Sequence, residues 1–397
     1  MSSVNIRKRG DKWEYRFEAA RVNGKRKHIS KSGFRTKKEA LEAGTLAYAD
    51  YYKTGVAFKN SELSVHDFML YWYDQHVLLN TKPNTQRAYR GHIKNHINKA
   101  LGHFKLSTLT PAMVQEFVNS LKVSGFSKNT TTGIYTTLKY ALDYAVEPCH
   151  YIQSNPCAHV KFPRFEKSPD KLRILTLDEV SVIAERLKGT RYYIMFMLGF
   201  HCGLRAGEAT GLTWDDIDFK NKTLTINKQL VGANKGARWF FGSPKTPNSN
   251  RVISFGDSLL AALEKEKASQ LAARSLYKGF YKDYVLQGDS IVEVAESLVG
   301  KNKPVDFVCR DEDGTFNNSE TFRYATIIIN REFGIKFHYH ALRHTHATLL
   351  IEKGAIIKDV SERLGHSSVA VTLNTYTHST CTMASETVAI FERMLST

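Results

Sequence analysis

Apolar residues recur at two different periods along this chain, and the changes of period divide it. Near the N-terminus the period is two. Residues 4–9, 13–20 and 25–30 read as short strands, and Trp13, Tyr15, Phe17 and Ala19 alternate with polar neighbours. Asn23-Gly24 predicts a hairpin turn between the second and third strands. From Thr36 the period becomes helical, with Leu41, Ala43, Leu46, Ala47 and Tyr51 predicted to face the sheet. Residues 61–160 read as four helices. Their stripes are Val65, Phe68, Met69 and Trp72; Tyr89, Ile93 and Ile97; Val114, Phe117, Val118 and Leu121; and Ile134, Leu138, Leu142 and Ala145. A basic, proline-bearing stretch predicts a linker at 161–175. From Thr176 to about residue 380 helices alternate with a small antiparallel sheet, predicted at 223–230, 239–241 and 252–255. Residues 257–335 read as mostly helical, with 273–315 an insertion around a strand at 306–309. Ala384, Val388, Phe391 and Leu395 predict a tail helix within 381–397. The expected fold is therefore multidomain α+β. It comprises a three-stranded sheet with one helix at 1–60, a four-helix domain at 61–160, and a mainly α domain with a small sheet at 176–380.

Charge narrows the partners. The chain has 397 residues, with 56 Lys or Arg against 39 Asp or Glu, a net +17 that favours a polyanion. Residues 1–60 hold 15 Lys or Arg against 6 acids, so the excess is concentrated there. Arg7, Arg9, Arg16, Lys25 and Lys27 are expected on the free face of the first sheet, which suits a duplex groove. In the four-helix region the polar candidates are Lys82, Thr85, Arg87, Arg90, Lys94, Lys128, Asn129, Thr130, Thr131 and Lys139, several at helix starts suited to phosphate. No run of eighteen apolar residues suggests a membrane span, and the N-terminus lacks a secretory signal. The 5 cysteines are scattered without metal-ligand spacing and read as thiols of a reducing cytoplasm.

The chemistry gathers in FHYHALRHTHATLL and LGHSSVAVTLNTYTH. His340 and Arg343 share the first turn of a predicted helix, Gly365 ends another, and His366 and Tyr376 follow. A phenol is a weak nucleophile unless its proton is accepted and its target polarised. Arginine's planar fork fits two phosphate oxygens, and imidazoles donate hydrogen bonds or move protons. Upstream, GLRAGE carries Arg205 and Glu208, and a Pro- and Asn-rich turn in GSPKTPNSNRVISF carries Lys245. His338, His340, His344 and His346 are dense enough to raise a metal-dependent phosphodiesterase or nuclease, but no His-Glu-x-x-His and no carboxylate accompanies them. His344 and His346 are expected to be structural, one packed and one hydrogen-bonded.

In order, GLRAGE, PKT, HALRHTHAT, LGHSS and TYTH resemble the tyrosine recombinases of the phage-integrase family, with Ala341 where such enzymes often carry Asp. The basic N-terminal strands look like the arm-binding domain of conjugative-transposon integrases. The resemblance implies a site-specific recombinase of a mobile element, with Arg205, Lys245, His340, Arg343, His366 and Tyr376 catalytic and Glu208 orienting a partner. It implies a 3′-phosphotyrosine link, with His340 best placed to take the tyrosyl proton, and neither metal nor other cofactor. It also implies an arm-binding domain at 1–60, a core-binding domain at 61–160, and a cytoplasmic, nucleoid-associated bacterial enzyme. That enzyme would form a homotetramer on core and arm DNA sites, with accessory bending and excision proteins. A non-catalytic DNA-binding regulator on the same fold is the remaining alternative.

Overall fold

The computed structural model describes residues 4–22, 25–54, 63–166, 172–233, 238–243, 250–294, 303–376 and 392. The chain divides into two compact units, residues 1–167 and 168–397.

The first unit opens with the antiparallel sheet β1 (Asn5–Arg9), β2 (Lys12–Val22) and β3 (Lys25–Phe34), in that order. The turn at 23–24 lies outside the described residues. Ile6 lies opposite Tyr15, and Tyr15 and Phe17 are buried with Ala47 of α1 (Lys37–Thr54). Thr36 caps α1: the Glu39 backbone N–H donates to its Oγ1 at 3.2 Å. Ala43, Ala47 and Tyr51 pack on the sheet as expected, but the two leucines do not. Ala40 and Ala47 are buried, whereas Leu41 and Leu46 are 47% and 69% exposed. The reason is close approach. A Cβ on Gly44 would stand 2.6 Å from Val4 and 2.7 Å from Tyr15, so a small-residue face at 40, 44 and 47 meets the sheet.

Four helices follow. α2 (Val65–Trp72) continues through a π-helical turn at Tyr73–Val77 into Leu78–Asn80. α3 (Pro83–His92) continues likewise through Ile93–Ile97 into Asn98–Ala100. α4 spans Pro111–Val123 and α5 Lys128–Val146. Of the apolar stripes read from the sequence, all but half-buried Tyr89 are buried, most in one core. The following segment lies along α4, where Gln115 exchanges two 2.8 Å bonds with the Lys161 backbone and Lys122 Nζ donates to the Arg164 carbonyl.

The second unit begins with α6 (Leu177–Leu187), whose Thr176–Glu179 capping box forms as TLDEV suggests. α7 (Tyr193–Cys202) is apolar on all sides and is buried in the largest core. α8 (Ala206–Thr210) follows. Two sheets then form where one was expected. One contains β4 (Ile217–Asp218), β5 (Thr223–Ile226) and β8 (Arg251–Ser254). The other has the order β11-β9-β10-β7-β6, made by β6 (Gln229–Ala233), β7 (Arg238–Gly242), β9 (Asp283–Gln287), β10 (Ser290–Val294) and β11 (Lys303–Pro304). The split follows from two apolar clusters. Leu224, Ile226 and Ile253 join the main core, whereas Leu230 and Ile291 pack with Tyr284 and Phe307. The 273–315 insertion thus extends the β6–β7 hairpin. Residues 306–309 form no strand: they bury Phe307, Val308 and Cys309, with one bridge from Phe307 to Thr213.

α9 (Asp257–Tyr277), α10 (Ser319–Phe333), α11 (Tyr339–Glu352), α12 (Ile357–Leu364) and α13 (Val369–Tyr376) complete the unit. Apart from Glu392, the predicted tail helix lies outside the described residues. Among the described residues no helix is long and apolar enough to cross a membrane.

Candidate active site

Two helix ends and one helix start build the site. α7 stops at Gly203 and α12 at Gly365, both left-handed caps with φ 64° and 66°. Neither position has room for a side chain. A Cβ at Gly203 would stand 2.7 Å from Leu364, and one at Gly365 2.9 Å from Arg251 Nη1. These two ends expose the carbonyls that hold Arg343 of α11. Its Nη1 donates to the Gly203 carbonyl and its Nη2 to the Leu364 carbonyl, each at 2.7 Å. An arginine has five N–H donors, so two bonds orient the fork without exhausting it. The residue is 1% exposed. Burial, then the charge of Arg205, lowers its pKa to about 9.

Arg205 sits at the N-cap of α8. Its Nη1 donates to Glu208 Oε1 at 2.7 Å and its Nη2 to the Gly365 carbonyl at 3.1 Å. Glu208, 3% exposed, is held from its other side by Arg251, whose Nη2 donates to Oε2 at 2.9 Å. Arg251 Nε also donates to the Arg363 carbonyl at 2.7 Å. Burial alone would raise the Glu208 pKa. The hydrogen bond and charge of Arg251, then the charge of Arg205, outweigh burial and hold it below the ordinary carboxylate value. One buried carboxylate therefore orients two guanidiniums, and through them β8, α8 and the end of α12. Sequence reasoning missed Arg251. Its only local signal is an arginine opening a strand after the Lys245 turn.

The imidazoles and the phenol lie together. Tyr376 ends α13 and is 5% exposed. Burial raises its pKa, against the charges of Arg343 and Arg205. His366 stacks on it, with ring centroids 6.3 Å apart and planes 9° apart, and His366 Nδ1 shares a 2.7 Å hydrogen bond with Thr372 Oγ1. The nitrogen bonded to the phenol is that of His344, not His340: His344 Nδ1 and Tyr376 Oη are 2.9 Å apart. His340 instead stands perpendicular to the His344 ring, centroids 4.6 Å apart. Desolvation, then neighbouring positive groups, pushes His340 and His366 down to about 4 and His344 to about 3, so all three are neutral at pH 7.

The other two histidines diverge. His338 caps α11, its Nδ1 accepting from the Ala341 N–H at 3.1 Å, and buried His346 accepts from Arg363 Nε at 3.0 Å. Of the pair expected to be structural, His346 is both packed and hydrogen-bonded, while His344 joins the phenol. Among the described residues no three His, Cys, Asp or Glu side chains are grouped to hold a metal. Lys245 lies outside the described residues.

The expected DNA-facing residues fare unevenly. The register puts Arg7 opposite Glu14, Arg9 opposite Lys12 and Arg16 opposite Asn5, on the face away from α1. Arg7 Nε donates to Glu14 Oε2 at 3.0 Å, which neutralises part of that face. Lys25 and Lys27 open β3, and only their backbone is described. Lys82, Arg87, Arg90, Lys94, Lys128 and Thr130 are exposed. Lys82 stands at the N-cap of α3, and Ser127 caps α5 directly before Lys128. Lys139 is tied to Asp143 at 2.9 Å, and Thr131 is fully buried, because it points into the helical core.

Comparison with known proteins gives three family matches. Residues 173–383 match the phage integrase family, 64–122 its N-terminal SAM-like domain, and 2–45 an arm DNA-binding domain. A tyrosine recombinase XerC-like protein of Caldanaerobacter subterraneus is 32% identical over 359 residues, 87% of this chain and 86% of that protein. The ICEBs1 integrase of Bacillus subtilis is 26% identical over 304 residues, 76% of this chain and 75% of that protein. Among solved structures, the Tn1549 transposon integrase bound to circular intermediate DNA superposes with a TM-score of 0.65 at 20% identity. The superposition covers 84% of this chain and 99% of that one.

Proposed function

This chain belongs to the phage integrase family and is a tyrosine recombinase, and from that premise we propose that it cuts and rejoins the DNA of a mobile element through Tyr376. The observation that carries this reading is the buried phenol. It lies against two imidazoles, next to an Arg343 fork aimed by two helix-end carbonyls. Arg205 and Arg343 hold the two non-bridging oxygens of the scissile phosphate and stabilise its pentacoordinate state. Tyr376 attacks, leaving a 3′-phosphotyrosine link and a free 5′-hydroxyl. Lys245 protonates the departing 5′-oxygen, His340 and His366 donate hydrogen bonds, and Glu208 orients Arg205. Attack by another strand's 5′-hydroxyl reverses the step and conserves the bond energy. A nicked suicide duplex carrying the element's crossover site is expected to trap the protein covalently, in excess EDTA as well as without it. An adduct that forms only with added divalent metal would refute this reading.

Two segments of the first unit divide the DNA contacts outside the active site. Residues 1–60 bind arm sites through Arg7, Arg9, Arg16, Lys25 and Lys27. Residues 61–160 bind the core site through Lys82, Arg87, Arg90, Lys94, Lys128, Thr130 and Lys139. A chain starting at Ser61 is expected to cleave the crossover site yet lose arm binding. Binding by residues 1–60 should fall steeply with salt, since bound cations displace DNA counterions. Equal affinity of the full and shortened chains for every segment of the element would contradict the division.

The enzyme works in the bacterial cytoplasm, at the nucleoid, as a homotetramer on two sites, with accessory bending and excision proteins. Residues 381–397 dock on a neighbouring protomer. Deleting 383–397 is expected to spare single-site binding, disrupt synapsis and change the rate of cleavage by Tyr376. Full-rate recombination by the truncated chain would rule this out.

A further inference from the structure

The proton of the attacking phenol needs an acceptor. The structure pairs the Tyr376 hydroxyl with His344 Nδ1 at 2.9 Å, while the His340 ring stands perpendicular to that of His344, centroids 4.6 Å apart. His344 follows Arg343 directly on α11, so the helix that aims the guanidinium also sets the height of this imidazole. Resting on the reading that Tyr376 is the nucleophile, we propose that His344, not His340, accepts the Tyr376 proton as Oη attacks phosphorus.

The step balances within the site. The O–H bond of Tyr376 breaks and its proton moves to Nδ1. The Oη–P bond forms, the P–O5′ bond breaks, and the 5′-oxygen takes a proton from Lys245. On rejoining, the same proton returns from Nδ1 to the departing phenol. His344 suits this role because its surroundings keep the ring neutral, and its Nε2–H tautomer presents a lone pair at Nδ1. Entry of the phosphodiester adds a negative charge beside Arg343. That charge offsets the repulsion the guanidinium exerts on His344 and raises its basicity when it is needed. His340 is left free to donate to a phosphate oxygen.

The test uses the full-length chain and the nicked suicide duplex, with DNA binding measured alongside. H344N keeps an acceptor near the Nδ1 position but has no basicity. H344A opens a space that imidazole from solution can enter. Both are expected to bind DNA like the parent and to form the covalent adduct roughly 100-fold more slowly or worse. Added imidazole should accelerate H344A in proportion to its concentration. Parent-like cleavage by H344N would overturn the proposal, because a neutral amide cannot take the proton. So would an imidazole response in H340A and none in H344A. Y376F run in parallel separates the two levels: an adduct in that variant would refute Tyr376 as nucleophile, whatever His344 does.

Discussion

Tyr376→Phe is expected to abolish the covalent protein–DNA adduct while leaving binding to the crossover site unchanged. The loss should be complete, because no other group replaces the attacking oxygen. Binding should persist because the change removes one hydroxyl and its bond to His344, and keeps the ring that packs with Ala347, Ile351, Val360 and Leu364. A hydrogen bond of this kind contributes about 0.5–1.5 kcal/mol, too little to unfold the domain. The stack on His366 should survive as well. Gel-stable adducts and filter binding on the same duplex read the two quantities separately. Cleavage by the Phe variant would move the nucleophile elsewhere. Loss of both binding and cleavage would make Tyr376 a structural residue.

Glu208→Ala is expected to be the most destabilising change in the site. The carboxylate is 3% exposed, and the Arg251 side chain it pairs with is 7% exposed. Removing the acid takes away the buried carboxylate that pairs with this guanidinium, and breaking a buried pair costs about 3–5 kcal/mol. Arg205 is 31% exposed and contributes less to that cost, since water screens it. Arg205 would nevertheless lose the partner that aims it, so cleavage should fall even where the variant is folded. Glu208→Gln tests the charge separately. The folded-state pKa of Glu208 lies below its unfolded value. Its contribution is therefore full above the unfolded pKa of about 4.3 and disappears as pH falls through the folded value. The stability gap between wild type and E208Q should accordingly narrow below about pH 4.3. Urea unfolding at pH 7 and across the acid range measures both effects. An E208A variant within 1 kcal/mol of wild type would show that Arg251 finds another partner.

Much of this was readable because it is local. The helical stripes of 65–145 repeat over a few residues, and burial followed them nearly residue for residue. Gly203 and Gly365 end their helices where a left-handed residue is required, and that placed Arg205 and His366 just beyond helix ends. The order Arg205, Lys245, His340, Arg343, His366, Tyr376 is a property of the chain alone.

What the sequence could not decide are choices between partners distant along the chain. The face of α1 followed from the closeness of Gly44 to Val4 and Tyr15, which overrode the larger leucines. The strands at 223–255 divided between two sheets because Leu230 found Phe307 and Tyr284, while Leu224 and Ile253 found the main core. Arg251 lies 43 residues from Glu208 and His344 32 from Tyr376, and neither spacing implies a contact. Side-chain periodicity reports which face is apolar. It carries no information about which polar group meets which across a packed interior, and that is where His344 rather than His340 came to hold the phenol.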